Sequence, residues 1–357
     1  MRNEGMQSSK STAPLAVFRA DADPRIGGGH VTRCLTIAGA LARRDWECVF
    51  ATSASTASTV PLLAGSGHRM VTVGDTPATD AAIIADACNG AANLLVIDHP
   101  SYAAPEERAL RPAAKRRMAI DGQFRTHDTE VLLDPNPDHD PARLRELTPP
   151  DCVILSGAAF IPINAKIAAC RPASLTRRAD NGHRLNTLLV SLGASDQGPL
   201  LAKILEAIAM LDRDCSVTVL AATAVKAVAA AAARLKLDAE ILGWQNDVAP
   251  LLHAADLVIG AGGTSAWERC CLGVPSLVVT VADNQLAGAR FLAAHGAAVD
   301  CGSADSVTPS GIAEALRKLD PQALARLSQK ASDLVDGHGA DRIADAVTRV
   351  VASADMT

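Results

Sequence analysis

A glycine-rich turn that opens a helix is the stretch of this chain with the clearest chemistry. Residues 260–285 begin with Gly-Ala-Gly-Gly-Thr-Ser, directly after a buried apolar strand. Backbone N–H groups at a helix start, reached through glycines that let a ligand approach closely, form a site for a phosphate. We therefore predict that an anionic phosphate group contacts Gly262, Gly263, Thr264 and Ser265.

Three further polar side chains accompany this turn. Glu268 is predicted in the first turn of the helix, and Asn284 and Gln285 follow the next strand. Parallel strands that end side by side would bring them around one crevice. Each also has a structural interpretation. Ser265 and Glu268 have the spacing of a capping box, and the Asn-Gln pair is typical of a turn and helix cap.

A second glycine run follows the first predicted strand and ends in a histidine. Its position after a strand puts the loop at the carboxyl edge of the sheet, where open α/β sheets bind ligands. It is not the dinucleotide fingerprint, since Thr32 occupies the third glycine position. His30 would lie at the helix start, where the helix dipole disfavours the imidazolium and keeps the ring available as a base. A histidine that only caps or packs fits equally well.

The neighbours of His30 have two interpretations each. Gly28 and Gly29 would let a ligand approach the loop. Asp21 either orients the ring or a water, or is a turn residue. Arg33 lies one helical turn from His30 and pairs either with Asp21 or with substrate. Two aspartates, Asp98 and Asp121, end later strands and are interpreted mainly as residues that fix loops. For His99, a place in the lining of the cleft and a place outside it are equally compatible with the sequence.

A third loop, residues 191–196, follows the strand predicted at 187–191. Gly193 and Ser195 in this loop are predicted to face phosphate or sugar. The alternative is that the segment only starts the helix predicted from about Pro199.

Alternating strands and helices must position these loops. The pattern predicts an α/β protein with two doubly wound, Rossmann-like domains separated by a cleft. We predict a disordered leader over residues 1–14 and an N-terminal domain over 15–165. An irregular connection over 166–184 leads to a C-terminal domain over 185–357. The last helix is a candidate for crossing back onto the first domain.

Composition narrows the class of protein. The chain has 357 residues, 48% of them hydrophobic and 20% charged, which is typical of globular proteins with large cores. A net charge of −5 argues against binding to nucleic acid. No apolar run is long enough to span a membrane, and nine scattered cysteines suit a reducing compartment. We expect a cytoplasmic monomer with no metal, no cofactor and no membrane contact.

Together these motifs resemble a known family. Gly-Gly-Gly-His-Val-x-Arg near the N-terminus, Trp-Glu-Arg-Cys-Cys-Leu-Gly-Val-Pro-Ser at 267–276 and Asp-Asn-Gln at 283–285 are similar to the pseudaminic acid biosynthesis nucleotide-sugar hydrolases. These are UDP-2,4-diacetamido-2,4,6-trideoxy-β-L-altropyranose hydrolases. The resemblance covers about residues 18–301. It implies the two-domain glycosyltransferase B (GT-B) fold, similar to the enzyme that adds GlcNAc to lipid II.

The resemblance also implies roles for individual residues. His30 would be the general base for a water that attacks the anomeric carbon, and UDP would leave with inversion and without a metal. The turn at 262–265 would face the diphosphate, and Glu268 the ribose hydroxyls. Asn284 would lie near the reacting sugar and phosphate.

One position departs from the family pattern. The family carries Asp-His-Tyr with an active-site tyrosine, whereas this chain has Asp98-His99-Pro100-Ser101-Tyr102. Tyr102 is the only tyrosine and lies two residues later than in the family. Either it reaches the same place from a shifted loop, or its role is lost or filled by another residue. This departure leaves the identity of the sugar more open than the class of reaction.

Three functions follow from the sequence. The first is a UDP-sugar hydrolase in nonulosonic acid biosynthesis, and the second is a glycosyltransferase of the same fold. The third is a nucleotide-sugar-binding protein without catalysis. Residue types alone do not separate UDP from CMP or GDP, nor do they specify the stereochemistry of the sugar.

Overall fold

The first sheet is parallel throughout. The computed structural model describes residues 13–23, 26–74, 76–193, 197–211, 214–221 and 224–354, so residues 1–12 of the predicted leader lie outside the described part. The 7-stranded sheet has the order β3-β2-β1-β4-β5-β6-β7. Its strands are β1 (Leu15–Ala20), β2 (Glu47–Thr52), β3 (Arg69–Thr72), β4 (Ala92–Asp98), β5 (Ala114–Ile120), β6 (Val131–Leu133) and β7 (Val153–Leu155).

The second sheet repeats this plan. It is 6-stranded and parallel, with the order β10-β9-β8-β11-β12-β13. Its strands are β8 (Thr187–Ser191), β9 (Ser216–Leu220), β10 (Ala239–Leu242), β11 (Leu257–Ala261), β12 (Ser276–Thr280) and β13 (Val299–Ser303).

Helices connect the strands and cover the sheets. Those of the first half are α1 (Gly29–Ala42), α2 (Thr56–Thr59), α3 (Pro61–Ala64), α4 (Pro77–Ala87), α5 (Ala104–Ala109) and α6 (Pro141–Glu146). The later ones are α7 (Ala165–Asp180), α8 (Gly198–Ala209), α9 (Val225–Arg234), α10 (Ala249–Ala254), α11 (Thr264–Cys271), α12 (Leu286–Ala294), α13 (Pro309–Arg317), α14 (Pro321–Leu334) and α15 (Gly339–Ala354).

The strand order explains where ligands have access. In each sheet the winding reverses beside the first strand, between β1 and β4 and between β8 and β11. Loops diverge at such a switch point and leave a crevice at the carboxyl ends of the strands. The histidine loop follows β1, and the glycine turn follows β11. The prediction of two doubly wound α/β domains is confirmed.

The cores are built mainly from aliphatic side chains. Residues such as Leu94 and Val96 of β4 and Ile259 of β11 are fully buried. A strand that is covered on both faces appears in the sequence as a continuous apolar run, and such runs predicted these strands. Phe18 and Phe50 form a stacked pair with ring centroids 5.0 Å apart in the core of the first domain.

The segment 166–184, predicted as an irregular connection, is helical for most of its length. The structure has helix α7 there, with Pro172 inside it. The helix is fastened to the second domain because Arg177 and Arg178 donate hydrogen bonds to carbonyls around the start of β11, including Ala255 O. Those tertiary bonds offset the N–H that proline removes from the helix.

The last helix packs on the first domain. Ile343 and Val347 of α15 lie in the same buried cluster as Phe18 and Leu41. Arg44 donates to Asp345 Oδ1 at 2.7 Å across this contact. Because α15 is the C-terminal helix, the chain passes between the domains a second time.

Candidate functional site

His30 is positioned by a glycine loop and held by an aspartate. Gly27 has φ of +76°, a conformation that favours glycine, and α1 begins at Gly29. His30 is therefore in the first turn of the helix, as the sequence predicts. Its Nδ1 lies 2.6 Å from Oδ1 of Asp98, the last residue of β4, and its side chain is 27% exposed. Since β1 and β4 are neighbours, the two residues meet although 68 positions separate them.

Arg33 completes this group. Its Nε donates to Asp98 Oδ2 at 2.9 Å and its Nη2 to Asp98 Oδ1 at 2.8 Å. Complete burial of Asp98 by itself raises the pKa of the carboxyl, but the Arg33 charge and the His30 bond outweigh it and hold that pKa below its ordinary value. An ionised carboxylate only accepts, so Nδ1 of His30 donates to it. In a neutral ring with this orientation, the lone pair lies on Nε2, as a general base requires.

Asp21, predicted either to orient the His30 ring or a water or to be a turn residue, bonds to other groups. It accepts a bond from the backbone N–H of Ser53 at 2.6 Å, forms an ion pair with Arg19 at 2.7 Å, and lies 3.5 Å from Nε2 of His99. Burial raises its pKa, but the His99 bond and the Arg19 charge together lower that pKa below the ordinary value. The expected pairing of Arg33 with Asp21 is therefore replaced by pairing with Asp98.

Asp98 is the functional candidate that the sequence interpretation undervalued. It was interpreted chiefly as a loop-fixing residue, yet it is the partner of both His30 and Arg33. The available signal was its place at the end of the strand next to β1, together with an arginine one turn after the histidine.

Tyr102 lies in a buried polar cluster. Its hydroxyl donates to Asp80 Oδ2 at 3.2 Å and accepts from Arg19 Nη2 at 3.3 Å, and its ring lies 4.0 Å from the His99 ring. The predicted role of Tyr102 in catalysis stays a prediction.

The two glycines before His30 differ in their surroundings. A Cβ atom on Gly28 would come within 2.9 Å of Val60 Cγ2, whereas one on Gly29 would meet nothing within 4 Å. Gly28 is thus needed for packing, and Gly29 borders open space that a ligand can enter.

The glycine turn of the second domain is tied to the loop after β12. Oε1 of Gln285 accepts bonds from the N–H groups of Gly262 at 3.2 Å and Val281 at 3.3 Å. A Cβ on Gly262 would lie 3.3 Å from the Gln285 carbonyl and from Val278 Cγ1, so only glycine fits without a shift. Gln285, predicted as a ligand contact, holds the turn in shape.

The capping box that was one interpretation of Glu268 does not form. Helix α11 begins at Thr264 with Gly263 as its N-cap, which places Glu268 beyond the first turn. Ser265 Oγ instead accepts from Arg269 Nη1 at 3.2 Å. Within the described residues the Glu268 carboxylate has no hydrogen bond or ion pair. Burial raises its pKa to about 7, and the charge of Arg269 opposes this effect only in part.

The remaining predicted contacts lie around the same edge. Thr264 and Asn284 are exposed and available to a ligand. Gly193 follows β8, the neighbour of β11, and has φ of +93°. Ser195 lies outside the described residues. Trp244, which the sequence interpretation did not consider, follows β10 at this edge and is 53% exposed.

The described residues offer neither a metal cluster nor a membrane-spanning helix. Among them, no three histidine, cysteine or carboxylate side chains are grouped so that they could hold a metal ion. No helix in the same ranges is both long and apolar enough to cross a bilayer.

Comparison with known proteins gives matches in sequence and in fold. Residues 193–347 match the glycosyltransferase family 28 C-terminal domain. The spore coat polysaccharide biosynthesis protein SpsG of Bacillus subtilis is 32% identical over 162 residues, 44% of this chain and 48% of that protein. A UDP-N-acetylglucosamine–N-acetylmuramyl-(pentapeptide) pyrophosphoryl-undecaprenol N-acetylglucosamine transferase from Thiobacillus denitrificans is 32% identical over 191 residues, 52% of this chain and 51% of the transferase.

These matches cover about half the length of the curated relatives. The likeness in structure extends further. The crystal structure of Acinetobacter baumannii MurG covers 94% of this chain and 100% of its own, with a TM-score of 0.69 at 18% identity. Two parallel α/β domains, this likeness and the family 28 match together establish that the chain has the GT-B fold.

Proposed function

We propose that this protein is an enzyme that displaces UDP from the anomeric carbon of a UDP-sugar. The observation that carries the proposal is the His30–Asp98–Arg33 group at the switch point of the first sheet. A neutral imidazole oriented by a carboxylate is suited to take a proton from an attacking hydroxyl.

The reaction would balance as follows. Nε2 of His30 takes the proton as the nucleophile's oxygen bonds to the anomeric carbon. The bond from that carbon to the diphosphate oxygen breaks, and UDP leaves with the electron pair. Attack from the face opposite UDP gives inversion.

The leaving group would bind at the glycine turn. The start of α11 supplies N–H groups and the positive end of a helix dipole to the developing charge. The UDP-sugar named for the Thiobacillus transferase supports UDP over other nucleotides. Glu268, with no partner among the described residues, would accept bonds from the ribose hydroxyls.

The comparisons favour glycosyl transfer to an acceptor hydroxyl. The matched family 28 domain includes the glycine turn, Glu268 and Gln285, and the Thiobacillus relative is named as a transferase. In that reaction His30 would deprotonate the acceptor.

Hydrolysis is the second candidate. It is favoured by the likeness of the histidine loop and of residues 267–276 to the pseudaminic acid hydrolases. The same base would act on water, and the substrate would be a UDP-2,4-diacetamido-2,4,6-trideoxy sugar. The free sugar would then be available for nonulosonic acid biosynthesis.

One experiment separates these functions. Purified protein is incubated with UDP-GlcNAc and with UDP-2,4-diacetamido-2,4,6-trideoxy sugars, with and without acceptors, and UDP release is followed together with proton NMR of the sugar. UDP release without acceptor indicates a hydrolase, and release only with acceptor a transferase. Binding without turnover would overturn the proposal in favour of a non-catalytic binding protein.

The role of His30 is tested in the same assay. We expect His30→Ala to lose about 10²–10⁴-fold in rate while still binding UDP. His139→Ala is a matched control, because His139 Nδ1 also contacts an aspartate, Asp134 Oδ2, at 2.8 Å. A His30→Ala enzyme with a near wild-type rate would show that the base is elsewhere.

A further inference from the structure

Arg269 is a buried cation with no hydrogen-bonded acidic partner among the described residues, although the Glu268 carboxyl on the same helix interacts with its charge. Its side chain is on α11, and the residue is 1% exposed. The guanidinium donates to Ala261 O at 2.8 Å, to Ser276 Oγ at 3.0 Å and to Ser265 Oγ at 3.2 Å. All three acceptors are neutral, and within the described residues it makes no ion pair.

The guanidinium lies directly beneath the glycine turn. A Cβ atom on Gly260 would come within 2.7 Å of its Nη1, so the missing side chain at Gly260 makes room for it. Two of its acceptors, Ala261 and Ser265, belong to the turn and to the first turn of α11. The positive charge is therefore fixed against the backbone that would cradle a phosphate.

A buried charge without a counter-ion destabilises a protein, because neutral acceptors satisfy its hydrogen bonds but leave its net charge. Burial lowers the pKa of Arg269 to about 10, so it is still charged at neutral pH. A bound anion near the turn would remove the penalty, and this links the cation to ligand binding.

We propose that Arg269 is a positioning residue for the UDP diphosphate: it holds the glycine turn in shape and supplies beneath it a positive charge that no ion pair neutralises. The inference rests on the proposed binding of UDP at this turn. It predicts that Arg269 contributes to affinity in proportion to the charge of the phosphate group and contributes little to binding of the nucleoside.

The test compares dissociation constants for uridine, UMP and UDP. In Arg269→Met we expect UDP binding to weaken roughly tenfold and uridine binding to change by less than about twofold, with UMP between them. A general loss of folded protein would weaken uridine and UDP by the same factor, and that result would overturn the inference.

Arg178 supplies a matched control in the same domain. It is also 1% exposed and donates to the carbonyls of Leu252 and Ala255, but it lies at the opposite end of β11. Arg178→Met should lower the melting temperature without changing the ratio of UDP to uridine affinity. A ratio that falls as far as in Arg269→Met would overturn the inference.

A second pair of variants keeps the arginine in place. Ser276 accepts from Nε of Arg269, so Ser276→Asp adds a counter-ion and Ser276→Asn adds similar volume without charge. We expect only Ser276→Asp to lower UDP affinity selectively, and equal ratios in the two variants would contradict the proposal. This pair decides the question if Arg269→Met does not fold. Folded wild-type protein that binds neither UDP nor UMP would instead refute the proposed function.

Discussion

Basic side chains at the carboxyl edges of the two sheets have different hydrogen-bond partners. At the first edge, His30 and Arg33 share Asp98, and His127 lies between Asp121 and Glu107. At the second edge, Arg269 is bonded only to a carbonyl and two hydroxyl oxygens. At the first edge carboxylates contact Arg33 and both histidines, whereas at the second edge no described carboxylate forms an ion pair with the buried guanidinium.

This difference suits two kinds of chemistry. A carboxylate beside an imidazole orients the ring and favours its taking a proton. A carboxylate in direct contact with the phosphates would repel the ligand. Under the proposed function, the contrast matches proton transfer in the first domain and anion binding in the second.

The largest expected effect is on turnover and comes from removing the negative charge of Asp98 at the first edge. Asp98→Asn keeps the size of the side chain but leaves the Arg33 guanidinium without its carboxylate. We expect turnover to fall about 10²–10⁴-fold, because the amide no longer stabilises the protonated ring. UDP affinity, measured by calorimetry, should remain within about twofold of wild type. A comparable fall in UDP affinity would show that Asp98 also serves UDP binding, which contradicts the separation of the two roles.

The next effect concerns a histidine that serves structure. Burial alone would lower the pKa of His127, but its bonds to Asp121 and Glu107 raise that pKa to about 9. The stabilisation is complete below the unfolded pKa near 6.5 and is lost as pH rises through 9. Between these values we expect the free energy of unfolding to fall by about 2–3 kcal/mol more in wild type than in His127→Gln. If the free energy of unfolding had the same pH dependence in the two proteins, His127 would not be charged in the folded state.

A smaller effect is expected at the second edge. The raised pKa of Glu268, about 7, means that its ionised form is disfavoured in the free protein. Glu268→Gln should therefore raise the free energy of unfolding above pH 8 by about 2 kcal/mol, with the difference vanishing below pH 4.5. The same variant should weaken uridine binding at pH 8, where the ribose would lose its carboxylate acceptor. Unchanged uridine binding would remove Glu268 from the ligand site.

The smallest effect is expected away from both edges. Asp345 pairs with Arg44 at 2.7 Å, but their side chains are 50% and 26% exposed. Because exposed ion pairs contribute little, Asp345→Asn should change the free energy of unfolding by less than about 0.5 kcal/mol. Urea denaturation measures this, and a loss above about 2 kcal/mol would show that α15 depends on the pair.

Much of the fold could be predicted because local patterns carry it. Apolar runs followed by glycine turns located most of the strands around the site, and the glycines before His30 and Thr264 located both helix starts. Helix α7 was missed because Pro172 and its arginines disrupt a helical pattern, whereas bonds to the second domain stabilise the helix.

The sequence by itself determined the alternating elements, the histidine loop and the phosphate-like turn, since each depends on neighbours within a few residues. Only the tertiary structure decided which groups meet. Asp98 reaches His30 because β4 pairs with β1 rather than with its neighbour in sequence, β3. The helix start at Thr264 excluded the capping box of Glu268, and the fold placed Arg269 beneath the turn. Pairing between distant strands and the charge of a buried site are properties of the packed chain, and no local spacing records them.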